Sequence, residues 1–200
     1  MACSISVRKS DSSPSAPEDS DARKAVRATS VTLPLVVPSP YAPSMPLSPG
    51  TAVERYVIEG VIGEGAMAVV YRARHRDLGS LHAIKQLTNR DPQISERLVQ
   101  EGRLQSTLRH QNVLSVTDLV QIDGTPALVM EYVAGPTLRQ LMEQQSLTLK
   151  QSDALVQGLL RGVAAAHAHG LVHRDLKPAN ILIAVTDNAL VPKIADFGLA

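Results

Sequence analysis

A carboxylate, an ammonium and a carboxamide fall within six residues in His173-Arg174-Asp175-Leu176-Lys177-Pro178-Ala179-Asn180. Asp175 can accept a proton from a hydroxyl, Lys177 can neutralise phosphoryl charge, and Asn180 can ligate Mg²⁺ through its side-chain oxygen. Asp196-Phe197-Gly198 comes next, after the apolar run ending at Ile194, and carries the single phenylalanine of the chain. Its carboxylate can bind a metal that bridges phosphates. Gly63-Glu64-Gly65-Ala66-Met67-Ala68-Val69-Val70 is a glycine-rich turn. Glycine lets a backbone come close to phosphates and present its N–H groups to them. Alone, the two glycines also suit an ordinary hairpin. A dinucleotide fold is disfavoured because β-patterned sequence, Ala68–Ala73, follows where a helix should begin. A P-loop is disfavoured because no Gly-Lys-Ser/Thr closes the turn. Lys85, in Ala83-Ile84-Lys85, can face Glu101. An exposed pair contributes only about 0–1 kcal/mol, so placing a cation on phosphates is the better reason to build it.

These groups need elements to hold them. Tyr56–Ile62 and Ala68–His75 read as strands flanking the glycine turn, and Leu81–Leu87 as a third. Asp91-Pro92 supplies a helix cap and a proline at the first helical position. That helix is expected to run to about Arg109, with Leu98, Leu104 and Leu108 on its apolar stripe. Gly102 inside it costs roughly 1 kcal/mol relative to Ala. Val113–Ile122 and Ala127–Tyr132 read as strands joined at Asp123-Gly124. Thr137 caps a short helix carrying Leu138, Leu141 and Met142. Ser152 is the expected cap of a longer one carrying Leu155, Val156, Leu159, Leu160 and Val163, with Gly170 just past its end. Short strands are expected at Leu171-Val172, Ile181–Val185 and Pro192–Ile194. Five strands with one helix, then a helix-rich part, predict a two-lobed α+β domain.

Composition narrows the function. Lys plus Arg number 20 against 19 Asp plus Glu, a formal charge of +1. That balance argues against a general affinity for nucleic acid or an anionic membrane. An apolar fraction of 44% suffices for a packed core. Cys3 is the sole cysteine, so neither an intrachain disulfide nor a cysteine-built zinc site can form. The first residues lack the apolar core of a signal peptide, and no apolar run approaches a membrane span. A cytoplasmic location is expected. Eight of the 13 prolines lie in the first 50 residues, so residues 1–52 read as a disordered or polyproline-like tail.

The motifs, in this order, resemble the eukaryotic-like protein kinase family, of the kind found in bacterial Ser/Thr kinases. The resemblance covers about Arg55 to Ala200. It implies a kinase domain over 53–200 with a complete N-lobe, a five-stranded antiparallel sheet plus the helix the family calls αC, and the first part of a helical C-lobe. It further implies ATP and Mg²⁺ as cofactors. Ile62, Gly63, Glu64, Gly65, Ala66, Met67, Ala68, Val69 and Val70 match the glycine-rich loop over the nucleotide. Ala83 and Lys85 match the lysine strand, and Glu101 the glutamate that pairs with that lysine, because Leu108-Arg109-His110-Gln111-Asn112 follows at the family's spacing. Met130 falls at the gatekeeper position, with Glu131 and Val133 in the adenine-binding hinge. Asp175 would accept the substrate proton, Lys177 would steady the transferred phosphoryl, and Asn180 and Asp196 would hold Mg²⁺. Arg174 resembles the arginine on which a phosphorylated activation loop docks.

Lys177, two residues after Asp175, resembles the Ser/Thr-directed subfamily. The implied partner is a protein bearing a Ser or Thr hydroxyl. The alternative is a non-catalytic nucleotide-binding or interaction module, since the activation loop and substrate platform are expected beyond Ala200. Leu155, Leu159 and Val163 would then partly face water. Two departures stand out. Ala68 replaces the third glycine, tolerable if its φ is negative. Gln105 takes a position the family usually fills with an apolar side chain, which is expected to loosen helix αC.

Overall fold

The computed structural model describes residues 46–186 and 189–197. The expected tail, as far as residue 45, lies outside the described residues, as do Gly198, Leu199 and Ala200. Strands β1 (Ala52–Val53), β2 (Tyr56–Glu64), β3 (Ala68–His75), β4 (Leu81–Leu87), β5 (Val116–Ile122) and β6 (Thr125–Glu131) build one antiparallel sheet. Its order is β1-β2-β3-β4-β6-β5, a 6-stranded sheet where five strands were expected. The addition, β1, is short and begins before the expected boundary at residue 53. Gly50 N–H donates to Ile58 O at 2.8 Å and Ile58 N–H to Thr51 O at 2.9 Å. Leu47 packs on the sheet core, and its N–H donates to the Tyr71 hydroxyl.

The pleat sends alternate side chains to opposite faces. One face buries Ile58, Val69, Tyr71, Ile84 and Val129. The other carries Ala83, Leu87, Leu128 and Met130 against helix α1 (Pro92–Thr107), with Val70 at its margin. Asp91 accepts from Gln93 N–H at 2.8 Å and caps α1 as expected. The buried line of α1 is Leu98, Gly102, Gln105 rather than one through Leu104, which is 50% exposed. Positions i, i+4 and i+7 share a face, and Leu104 falls off it. A Cβ at residue 102 would meet Leu128 Cδ2 at 2.5 Å. Glycine therefore lets α1 approach β6 closely, which offsets its low helix propensity.

Below the sheet, α2 (Leu138–Gln144) starts from a capping box of Thr137 and Gln140. Helix α3 (Leu149–Ala168) starts from a second box, Thr148 with Gln151, so Ser152 is interior and not the cap. The Thr-x-x-Gln spacing satisfies two otherwise orphaned N–H groups, which Ser152 could not do alone. Gly170, φ +75°, ends α3 as expected: Leu171 N–H reaches Ala166 O and Gly170 N–H reaches His167 O, both at 2.9 Å. Leu155 is buried, contrary to expectation, whereas Leu159 and Val163 are half-buried, packing on the core while partly facing water as expected. The exposed face of α3 carries Val156 and Leu160 instead. Strands β7 (Ile181–Thr186) and β8 (Ala189–Ile194) form a hairpin beneath the sheet, whereas Leu171-Val172 is not a strand. No described helix is long and apolar enough to cross a membrane.

The expected strand at Val113 begins only at Val116, because Asn112–Ser115 bonds elsewhere. Leu114 N–H donates to Ile194 O and Ile194 N–H to Asn112 O, both at 2.9 Å. The Asn112 amide donates to Pro192 O at 2.8 Å. Helix α3 leans directly on this segment: a Cβ at Gly162 would lie 2.8 Å from Asn112 O and 2.9 Å from Ile194 Cδ1. Backbone cannot yield as a side-chain tip can. Gly162→Ala is therefore expected to destabilise the domain by about 1–3 kcal/mol. Gly60→Ala, with nothing within 4 Å of its Cβ, should change stability by no more than about 1 kcal/mol. Urea titration of both variants checks the contrast.

Candidate active site

A cleft of about 660 Å³ opens between the sheet and the loop from Asp175 to Asn180, with Asp196 beside it. Gly63, Glu64, Gly65, Ala66, Met67, Ala68 and Val70 form one wall together with Lys85 on the neighbouring strand, and Asp175, Lys177, Asn180 and Asp196 converge from the other side. The glycine turn closes with Gly65 N–H on Ala68 O at 3.0 Å. Thr88 braces it, its hydroxyl donating to Ala66 O at 2.9 Å and its N–H to Met67 O at 3.0 Å. Ala68 does not have a positive φ, so its methyl group is accommodated. Val69 is a correction: the pleat points it into the core on the far face, and Val70 alone of the two borders the cleft. Ile62 is exposed and does not line the cleft.

Ala83 and Met130, paired across β4 and β6, lie in an apolar cluster with Val70, Val133 and Leu182. Leu182 was not singled out in the sequence; its signal would have been its place just past Asn180 on β7. Glu131 turns its side chain away from the cleft. Its carboxylate takes Lys193 Nζ at 2.9 and 3.1 Å and Ser115 N–H at 2.9 Å. Only the backbone of Glu131 is left to serve a hinge.

Asp175 sits in a bonded group. Lys177 Nζ donates to its Oδ2 at 2.6 Å, and the Asn180 amide donates to its carbonyl at 2.8 Å and to Oδ2 at 3.2 Å. The Lys177 hydrogen bond, aided by Asn180, holds the Asp175 carboxyl below the ordinary carboxylate range. His173 anchors the loop: it is buried, its Nε2 bonds Ala195 O at 2.8 Å, and its ring packs 4.9 Å from that of Phe197. Ala195 N–H in turn donates to Asn180 O at 2.9 Å. These contacts fix the Asp175 and Asp196 segments to each other. Arg174 and Asp196 adopt φ of +63° and +60°, a region uncommon for residues with a Cβ. Such backbone is held by its surroundings and clusters at functional sites.

Lys85 is buried, and its Nζ meets Asp196 Oδ1 at 2.6 Å. The expected Lys85–Glu101 pair is not made. Glu101 borders the same small inner cavity as Lys85 and Asp196, but its Oε2 is buried without a hydrogen-bond partner. Burial raises the Glu101 carboxyl above its ordinary range, against the opposing pull of Arg174, Lys85 and Arg97. With Lys85 drawn to Asp196, Glu101 is left without a cation within bonding distance. Gln105 also departs from expectation: it is buried and its Nε2 donates to Leu114 O at 2.8 Å, a tether rather than a loose contact.

The donor set suits Mg²⁺. The bonds to Asp175 use the Asn180 nitrogen and leave its oxygen as an acceptor; Asp196 uses only Oδ1 toward Lys85. Two hard oxygen donors, completed by phosphate and water, match the way Mg²⁺ is usually bound. Among the described residues no group of three or more His, Cys, Asp or Glu could form a self-sufficient metal cage.

A strand lobe over a helical lobe, with a lysine, two aspartates and an asparagine gathered beneath a glycine hairpin, is a protein-kinase-like architecture. Solved structures agree. The PknI kinase domain of Mycobacterium tuberculosis, as a double mutant, superposes with TM-score 0.67 at 28% identity, covering 78% of this chain and 63% of that one. Rad53 in complex with AMP-PNP gives TM-score 0.66 at 29% identity, covering 74% and 39%. Residues 56–200 match the protein kinase domain model, and the chain belongs to that family. Curated relatives include cell division control protein 2 homolog 3 of Trypanosoma brucei brucei, 38% identical over 74% of this chain and 47% of its own length. The serine/threonine-protein kinase PkaA of Streptomyces coelicolor is 37% identical over 73% of this chain and 30% of its own length. The chain thus spans under half the length of either relative.

The raised Glu101 carboxyl gives a sign. The folded state favours its protonated form, so the ionised form costs stability as pH rises from the unfolded value through the folded one. Without nucleotide, Glu101→Gln should be more stable than the wild type at pH 7. The advantage should shrink as pH falls toward the unfolded carboxyl value, about 4.3. Thermal melts across that range measure it.

Proposed function

We propose that this chain carries the catalytic domain of an ATP-dependent serine/threonine protein kinase, transferring the γ-phosphoryl of Mg·ATP to a Ser or Thr hydroxyl of a protein. The observation that carries the reading is the bonded group Lys177–Asp175–Asn180, opening on the same cleft as Lys85, Asp196 and the glycine hairpin. Phosphoryl transfer needs little covalent help from the protein and much positioning and charge stabilisation. In this reading the glycine hairpin covers the phosphates and Lys85 leaves Asp196 to hold them. The apolar cluster of Val70, Ala83, Met130, Val133 and Leu182 receives the base, with the hinge backbone at Glu131 and Val133 beside it.

Asn180 and Asp196 would hold the magnesium ion, which would supply neutralisation of phosphate charge. Asp175 orients the acceptor hydroxyl and takes its proton. Its depressed carboxyl keeps it ionised, and Lys177 stands ready for the transferring group. The dyad of Asp175 and Lys177 favours this reading over a binding-only module, which would not require it. The reagent is cytosolic ATP, so the same proposal places the domain in the cytoplasm.

The test is transfer of radiolabel from ATP to a protein substrate by the full-length protein. Asp175→Asn should lose about 10²–10⁴-fold in turnover while still binding Mg·ATP. Equal labelling by wild type and variant would overturn the assignment. Because Asp175 is held low, wild-type turnover should not decline through this group until pH falls below about 3.9, the ordinary aspartate value.

A further inference from the structure

We infer that Gln105 is a positioning residue for the nucleotide site: its side-chain bond to Leu114 holds helix α1, and with it Glu101, inward against an unpaired buried charge. The inference rests on the kinase reading above and adds a residue to it.

The argument starts from Glu101. A carboxylate oxygen buried without a partner is costly, and moving outward to water would relieve it. Something must oppose that movement. Gln105 lies one turn further along α1, so its side chain shares a face with that of Glu101. Both border the cavity that also holds Lys85, Asp196 and Phe197. Gln105 is 5% exposed, and its single side-chain hydrogen bond among the described contacts, 2.8 Å to Leu114 O, is itself buried. Leu114 is not a free loop residue. Its N–H donates to Ile194 O at 2.9 Å, and Ala195, next along the chain, is bonded to both His173 and Asn180. One side chain therefore connects the helix bearing Glu101 to the strand end that leads into Asp196. An apolar side chain of the same length would fill the space but leave Leu114 O unpaired and the helix untethered. The bond sets where Glu101 stands when Lys85 exchanges Asp196 for phosphate.

Three measurements on the full-length protein test this. Calorimetry with Mg·ATP should show Gln105→Met binding about tenfold more weakly than wild type, the size of one lost buried hydrogen bond. In the Glu101→Gln background, the further change Gln105→Met should have no more than about a twofold effect, because the residue acts through Glu101. Gln105→Glu should recover affinity relative to wild type as pH falls from about 8 to about 6, since a buried carboxyl in that range regains a proton to donate to Leu114 O. If the methionine variant does not fold, this pH comparison decides alone. Unchanged affinity in Gln105→Met, full additivity with Glu101→Gln, or a flat pH response in Gln105→Glu would overturn the inference. A wild type that does not bind Mg·ATP would instead overturn the kinase reading.

Discussion

Strands β6 and β8 and helix α1 meet at the short segment Asn112–Ser115. It forms no regular strand, yet its backbone is bonded on several sides. Ile194 pairs with it from β8, Gln105 from α1, and Glu131 N–H donates to Ser115 O at 3.0 Å from the end of β6. Two glycines of α3 come against it, where a Cβ at Gly158 would sit 3.1 Å from the Asn112 amide nitrogen. Backbone hydrogen bonds inside a protein cannot be left unmade without a cost of about 1–3 kcal/mol each. A segment with so many of them has little freedom to shift. Strand β6, which pairs with the Lys85 strand, helix α1 and strand β8 therefore share one fixed origin, although they are far apart in the sequence.

The site was legible in the sequence where its chemistry is local. Asp175, Lys177 and Asn180 lie in one loop, and the spacing alone put them together. The helix caps at Asp91 and Thr137 and the terminal Gly170 were equally readable, because each satisfies orphaned backbone groups within a turn or two. Where tertiary contact decides, residue type and spacing mislead. Leu104 looks like a core residue by type, but Gly102 and Gln105 take the inward places because the sheet comes too close for anything larger at 102. Val69 and Val70 are chemically alike, and only the pleat separates a core residue from a cleft residue. The cap of α3 moved to Thr148 because a paired Thr and Gln satisfy more of the helix end than Ser152 alone.

The charged pairs were the hardest to foresee. Lys85 had two carboxylates within reach of its chain, Glu101 and Asp196, and sequence spacing cannot rank them. In the fold Asp196 wins, being 40% exposed at its side chain, so it gives up less hydration on pairing with a buried ammonium. Glu101 meets the cost of its own burial with no such relief. Glu131 shows the same lesson from the other side: Lys193 and Ser115 claim its side chain, and only its backbone is left for the hinge.

The Lys85–Asp196 contact also bears on the order of arrival at the cleft. While the ammonium bonds Asp196 Oδ1, a divalent cation would face a carboxylate already neutralised, with only its Oδ2 and the Asn180 oxygen to bind. In the kinase reading a triphosphate would offer Lys85 a denser anion and draw it off, releasing the carboxylate in the same act. In that reading, nucleotide and metal would therefore enter as one unit, and magnesium by itself would gain little hold.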